Sequence, residues 1–435
     1  MLLIYSPVQS PRLSYIAGEL FEHWYGCRVR LCYDIGEYKE HKGAAINYSR
    51  IPIKEGEIRI QPAGLLEETG VPAGRPPVSG FGEETLLYPS SSPESYPFDL
   101  FSAAFWLLTR AEEYGVVAED DFGRFPAEKS LADSNGFLNH PLLLNWTSKL
   151  LETLRLRHPE FVYTRPEARF LTTIDVDQAF AFRHRGFWQQ FLTAGNSLLN
   201  ARFWAVSEQI KSILGRIDTY DSFDWLKEQE KRFSTSFLYF FLLAEKKTRF
   251  DPNLPPATPA LQKLIQSRNS AGQAGLHPSF YATTSPALLE KEKQRFESIC
   301  GAPPSRVRQH YIRLKLPATY QNYEMNSFRE DYSMGYPEKP GFRASTSLPF
   351  RWFDLQENRI TNLKVFPFCI MEGSFADQSP QHFLQHLNLL HAEVSKYGGY
   401  LIQIWHNHTV NDNGIWKGWK PAFEESLKLL HSRAS

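Results

Sequence analysis

Asp175, Asp177, His277, His310 and His406 are the residues whose types and positions suit acid–base or metal chemistry. Each stands where an apolar stretch stops. Ala168–Ile174 runs into Asp175-Val176-Asp177, and Gln273–Leu276 runs into His277. The segment around Val307 leads to His310, and Gly399–Trp405 runs into His406-Asn407-His408. One histidine at a strand end is ordinarily structural. Several such ends mean more if the strands are parallel, because parallel strands bring their C-terminal ends to one edge. Residues i and i+2 of an extended segment point the same way, so Asp175 and Asp177 share a face. Two carboxylates so close resist joint ionisation unless a cation neutralises them. Two readings stand: a cap and a turn aspartate, or a metal ligand and a general base. On the second, Asp177, His277 and His310 form a three-ligand set that leaves a divalent zinc one open position. The ion would polarise an acyl carbonyl and acidify a water. Asp175 would take the water's proton, and His406 would protonate a leaving amine. The backbone N–H of Tyr311 is placed to hold the developing oxyanion.

These side chains need a scaffold. Leu2–Tyr5, the helix Arg12–Tyr25 and Arg28–Tyr33 read as a small α/β unit, with edge strands expected within Ile51–Ile60. Gly70–Pro97 is rich in Gly, Pro and Ser and is expected to lack regular structure. Helices are expected after Pro97 and after Pro141, and the domain boundary falls near residue 160, giving units 1–160 and 161–435. From Ala168 the pattern alternates strand and helix. Ser236–Leu243, Phe342–Ser345 and Lys364–Met371 are further strand candidates, and His382–Tyr397 is the clearest helix, ended by Gly398-Gly399. Near-continuous apolar strands alternating with helices predict an α/β fold with a parallel sheet buried on both faces, open or closed into a barrel. Phe187–Gly215 reads as a long helical insertion that either packs over the strand ends or lies on a membrane surface.

The 435 residues contain 48 Lys+Arg and 48 Asp+Glu. The chain therefore lacks the net basic field that collects nucleic acid or anionic lipid. No segment approaches the roughly 20 apolar residues of a transmembrane helix, and the start MLLIYSPVQSPRL lacks the basic region of a signal peptide. The cysteines Cys27, Cys32, Cys300 and Cys369 form no C-x-x-C pair, which fits a reducing compartment; the cytoplasm is the expected location. Aromatic residues make up 14% of the chain. Most belong to a core, but Trp352, Trp405, Trp416 and Trp419 are candidates for stacking on sugar rings. His408 reads as a rim residue, and Glu372 as either a turn cap or a support for the site.

The motif set resembles the polysaccharide deacetylase superfamily (carbohydrate esterase family four, chitooligosaccharide-deacetylase-like). More closely, it is similar to a bacterial branch carrying an uncharacterised N-terminal α/β domain. The stretches that carry the resemblance are Thr172–Asp177, Gly275–Phe280, Arg308–Tyr311, Asp331–Tyr336, Gly341–Thr346 and Ile404–His408, with Glu112-Glu113-Tyr114 and Phe122–Phe125 in the N-terminal partner. It implies a distorted (β/α) barrel and metal-dependent removal of acetyl groups from sugars. By motif order, Asp175 matches the catalytic base, Asp177 and His277 match metal ligands, and His406 matches the catalytic acid. Arg308 matches the arginine that orients the base, with Arg343 as a rival, and Asp331 resembles the aspartate that tunes the acid. The chain departs from the pattern in three places. Val176 separates the aspartates, Tyr281 stands where a second histidine is usual, and His310 sits within the third motif. His310 is expected to replace the missing ligand.

The reading is a hydrolase with one divalent ion, zinc by ligand type, that removes an acyl group from an amino sugar or glycan precursor. Tyr311, Trp405 and His408 are its candidate substrate contacts. The rivals are a non-catalytic carbohydrate-binding scaffold on the same fold, and an amidohydrolase acting on a non-sugar amide. Oligomeric state is not legible in the sequence.

Overall fold

The computed structural model describes residues 1–115, 118–184 and 218–431. The insertion Phe187–Gly215 lies outside the described residues. At the N-terminus, β1 (Leu2–Tyr5), β2 (Val29–Cys32), β3 (Ala45–Asn47) and β4 (Ile58–Arg59) form a parallel sheet in the order β2-β1-β3-β4. The expected helix Arg12–Tyr25 starts as Pro11–Ala17, with the Ser10 side chain accepting from the Leu13 N–H, and continues as a wider π-type turn over Gly18–His23. Within Gly70–Pro97, β5 (Val78–Ser79) and β6 (Leu86–Leu87) pair antiparallel, a short hairpin where none was expected. The helix Leu100–Leu108 is buried along its whole length. Its cap, Asp99, also receives Tyr48 Oη at 3.0 Å and the Ala63 N–H at 2.7 Å, so one carboxylate fixes a helix end and two loops.

The second sheet contains β7 (Ala168–Val176), β8 (Leu238–Leu242), β9 (Ala274–His277), β10 (Arg306–Val307), β11 (Glu330–Asp331), β12 (Phe350–Asp354), β13 (Arg359–Val365), β14 (Ile370–Met371) and β15 (Gly399–His406). Its order is β12-β13-β11-β10-β9-β8-β7-β15-β14, and all pairs are parallel except β12 with β13. Register decides where the chemistry falls. His406 is level with Asp175, Asp175 with Phe240, and His277 with Leu242, so the strand ends meet at one edge. The continuous stretch 359–371 bonds to both flanks of the parallel set. β13 pairs with β11, Phe368 donates to Met334 O at 3.0 Å, Cys369 donates to Ile402 O at 2.9 Å, and β14 pairs with β15. No regular ladder closes the ring among the described residues. No described helix is long and apolar enough to cross a membrane.

Phe342–Ser345 is a turn and not the strand its apolar residues suggested. Its backbone bonds to the N-terminal part of the chain: the Phe342 N–H donates to Leu138 O, and Ser345 O accepts from the Leu143 N–H. Ser345 is in the left-handed region with φ 54°. Arg343 explains the choice. It donates to Glu113 through Nε at 2.9 Å and Nη2 at 2.5 Å, and Glu113 also receives Arg110 Nε at 2.8 Å. Arg110 reaches Tyr336 Oη at 2.9 Å and Glu112 at 2.8 Å. All of these charged side chains are almost wholly buried. A single contiguous set of buried apolar side chains, from Leu2 to Leu430, surrounds this cluster and includes residues of both sheets.

Removing one partner of a buried charge cluster costs more than the pair contributes, because the remaining charge loses its compensation. We expect Glu113→Ala to destabilise the fold by about 3–5 kcal/mol, read as a fall in the urea midpoint. A loss below about 1 kcal/mol would mean that the two guanidinium groups find water or new partners.

Candidate metal centre and active site

The metal-ligand types converge as the strand register requires. Asp177 follows the end of β7, His277 ends β9, and His310 lies three residues past β10. Asp177 Oδ1 is 3.4 Å from His277 Nε2 and 3.4 Å from His310 Nε2. One ligand atom from each of the three residues fits within a mutual separation of 4.8 Å, a group able to hold a metal ion. Both rings are oriented from behind. His277 Nδ1 is 2.5 Å from Arg308 O, and His310 Nδ1 is 3.1 Å from Asp251 Oδ1. With their Nδ1 atoms so engaged, both histidines present Nε2 to Asp177, as metal-ligating histidines do. Asp177 Oδ1 is buried and has no hydrogen-bond partner among the described residues, which is the demand that a cation meets. The donor set, two imidazoles and one carboxylate, suits a catalytic zinc-type site.

Electrostatics agree with this demand. Burial opposes ionisation of Asp177, but the charge of His310 and the nearby His277 and His406 hold its carboxyl well below the usual range. Burial would lower His310; Asp177 and Asp251 outweigh it and push the ring up to about 9.

Two supported groups flank the triad. On one side, Asp175 accepts from Arg308 Nη1 at 2.7 Å, and the same nitrogen reaches Thr173 Oγ1 at 2.7 Å. Arg308 is fully buried, donates from Nε to Tyr332 O at 2.9 Å, and lies 4.4 Å above the Phe240 ring. Phe240 has room because residue 275 is glycine; a Cβ there would stand 2.7 Å from its ring. On the other side, Glu372 Oε1 accepts from the His406 backbone at 2.8 Å and sits 2.7 Å from His406 Nδ1. His406 Nε2 is 3.8 Å from Asp177 Oδ2. Burial would lower the His406 pKa, but Glu372, with Asp177 and Asp175, raises it to about 10.

Asp175, Asp177, His277, His310, Tyr311 and His406 all line one cavity of about 310 Å³, within the ~300–1,000 Å³ range of small-molecule sites. Tyr311 and Ile312 take left-handed φ values of 60° and 53° at its wall. For non-glycine residues such backbone is strained and persists only where the surroundings impose it. Here Arg124 Nη1 donates to Tyr311 O at 3.1 Å.

Other candidates lie elsewhere. Arg308 holds Asp175, whereas its rival Arg343 is in the buried cluster with Glu113. Asp331 does not partner His406. It is buried against Tyr320 Oη at 2.7 Å, and burial raises its carboxyl to about 6 despite hydrogen bonds from Ser333 and Tyr320. Trp405 is fully buried against Phe383, Trp419 and Phe423, on the face opposite His406, so it has no access to a substrate. Trp352 and Trp419 are also core, and Trp416 packs on Trp419. The His408 ring lies between His406, Tyr220 and Trp416, and burial followed by the charge of His406 pushes it down to about 4. The cavity's rings are Phe122, Phe250 and Tyr311. Asp251, Arg249 and the Phe122–Arg124 turn were not singled out as site residues from the sequence. They sit in loops with no periodicity, and only their proximity in the fold reveals them.

A family model described as a family of unknown function (DUF7033) matches residues 2–159. No curated protein matches the chain. Among solved structures, the chain is similar to a provisionally assigned polysaccharide deacetylase from Mycobacterium smegmatis, with 14% identity, TM-score 0.39, and coverage of 62% of this chain and 85% of that one. A provisionally assigned glycoside hydrolase/deacetylase from Parabacteroides distasonis gives 10% identity, TM-score 0.34, and coverage of 62% and 67%. A polysaccharide deacetylase from Bacillus cereus gives 11% identity, TM-score 0.27, and coverage of 60% and 88%.

Asp251 supports His310, a candidate ligand, without belonging to the triad. Replacing such a support weakens metal binding by roughly 10–100-fold, and Asp251→Asn is expected to do so in a competition titration against a zinc chelator. Affinity equal to wild type would remove Asp251 from the site.

Proposed function

We propose that the chain is a metal-dependent hydrolase that removes an acyl group, acetyl in the first instance, from an amino sugar or glycan precursor. The observation that carries this reading is that the Asp177–His277–His310 group lines one cavity with Asp175, backed by Arg308, and His406, backed by Glu372. A divalent ion held by the group, zinc in this reading, supplies Lewis acidity toward the acyl oxygen and makes a water acidic.

The chain's own residues do the rest. Asp175 takes a proton from the attacking water, with its Oδ1 held by Arg308. His406 keeps its Nδ1 proton on Glu372 and delivers the Nε2 proton to the leaving amine. Glu372 raises its pKa, which favours the protonated form that an acid needs. The N–H of Tyr311, presented by strained backbone, is the candidate donor to the developing oxyanion. Phe122, Phe250 and Tyr311 offer flat apolar faces for a pyranose ring.

The test is acetate release from N-acetylglucosamine and its oligomers by the zinc-loaded protein. Asp175→Asn should lower kcat by about 10²–10⁴-fold, the usual contribution of a positioned base. Glu372→Gln removes the main cause that raises His406. Because His406 acts when protonated, activity falls as pH rises through its pKa, and this variant should move the alkaline limb of the pH–rate profile to lower pH. No acetate release from any acylated amino sugar by metal-replete protein would sink the reading.

A further inference from the structure

Among the described residues, the charges around the cavity are matched, with one exception. Asp175 is met by Arg308 at 2.7 Å, and Asp177 by three histidines. Arg124 is met by Asp120 at 2.7 Å and also holds Tyr311 O. Arg249 lines the same cavity, is exposed, and has no carboxylate within ion-pair distance among the described residues. Its guanidinium carbon lies 4.3 Å above the Phe250 ring. A cation–π contact of this kind fixes an arginine without consuming its N–H donors.

The residues beneath Arg249 are tightly fixed. Phe250 stacks on Phe280 with centroids 4.0 Å apart and planes at 15°. Thr248 Oγ1 accepts from the Phe250 N–H at 3.1 Å and the Asp251 N–H at 2.9 Å. Asp251 in turn accepts from the Phe280 N–H at 2.9 Å and reaches His310 at 3.1 Å. Arg249 is thus two residues from the carboxylate that orients a metal-ligand histidine. A group bound to Arg249 would be held in fixed register with the reacting centre. A planar fork with free donors matches a phosphate or a carboxylate.

We infer that the substrate of this site is an acyl amino sugar bearing an anionic group, and that Arg249 is the residue that recognises it. This rests on the hydrolase reading above. The class is defined by the shared chemistry, a phosphate or a carboxylate on or next to the acylated ring.

The experiment compares kcat/KM of the zinc-loaded full chain on N-acetylglucosamine, its 1-phosphate, its 6-phosphate and an N-acetylated aminouronic acid. Wild type should prefer an anionic member over the neutral sugar by about tenfold or more, the value of one charged hydrogen bond. Arg249→Ala should lower the anionic-to-neutral ratio by a similar factor, mainly through KM, and Arg249→Lys should keep part of it. Added salt should shrink the preference in wild type. Preference for the phosphates alone or for the uronate alone identifies the source of the charge. Turnover of the neutral sugar with no anionic preference, or a preference untouched by Arg249→Ala, overturns the inference and leaves the hydrolase reading standing. Calorimetric binding of the same compounds separates the remaining cases. Arg249-dependent binding of the anionic sugars without turnover of any keeps the recognition and removes the hydrolase. Neither binding nor turnover overturns both.

Discussion

A buried carboxylate oxygen with no well-formed hydrogen bond among the described residues sets the terms for this structure. Asp177 Oδ1 stands 3.4 Å from each of two imidazole nitrogens. A buried anion persists only where positive charge or hydrogen bonds compensate it. The surroundings supply that charge to Asp177 from imidazoles and to Asp175 from the Arg308 guanidinium. Two carboxylates two residues apart therefore have different environments, and so different tasks become available to them.

The support behind those carboxylates reaches well into the sheet. Glycine at position 275 lets the Phe240 ring lie flat in the interior, Arg308 rests on that ring, and Arg308 fixes Asp175. On the far side, Glu372 binds both the backbone and the ring of His406 and fixes its height and its tautomer together. Parallel pairing contributes the common edge. Because His406 and Asp175 are register partners, their separation follows from the strand spacing rather than from loop conformation. The N-terminal part of the chain completes the wall through Phe122 and Arg124, and the buried Arg110–Glu113–Arg343 cluster locks it to the second sheet.

What the sequence disclosed follows from these physical facts. A parallel strand buried on both faces is an apolar run that stops where it reaches its edge, so β7, β9 and β15 pointed directly at Asp175, His277 and His406. Strand alternation could also have placed Trp405 opposite His406, in the core, and the composition-based hope of sugar stacking missed it. Phe342–Ser345 looked like a strand because apolar side chains flank Arg343, yet a buried ion cluster decides its backbone. Glu372 was legible as the carboxylate after the apolar run to Met371, although that strand has only two residues, whereas Asp251 and Arg249 lie in a loop that no period marks. The N-terminal contribution to the cavity depends on contacts between residues nearly 190 positions apart, such as Arg124 with Tyr311.

The central claim is that Asp177, His277 and His310 bind one metal ion. Elemental analysis of the purified chain beside the Asp177→Ala, His277→Ala double variant tests it without any assumption about substrate. The account predicts about one divalent ion per chain in wild type, as for a three-ligand site with one open position, and its loss in the variant. No bound metal in wild type after exposure to zinc, nickel or cobalt, or equal metal in the variant, would contradict it.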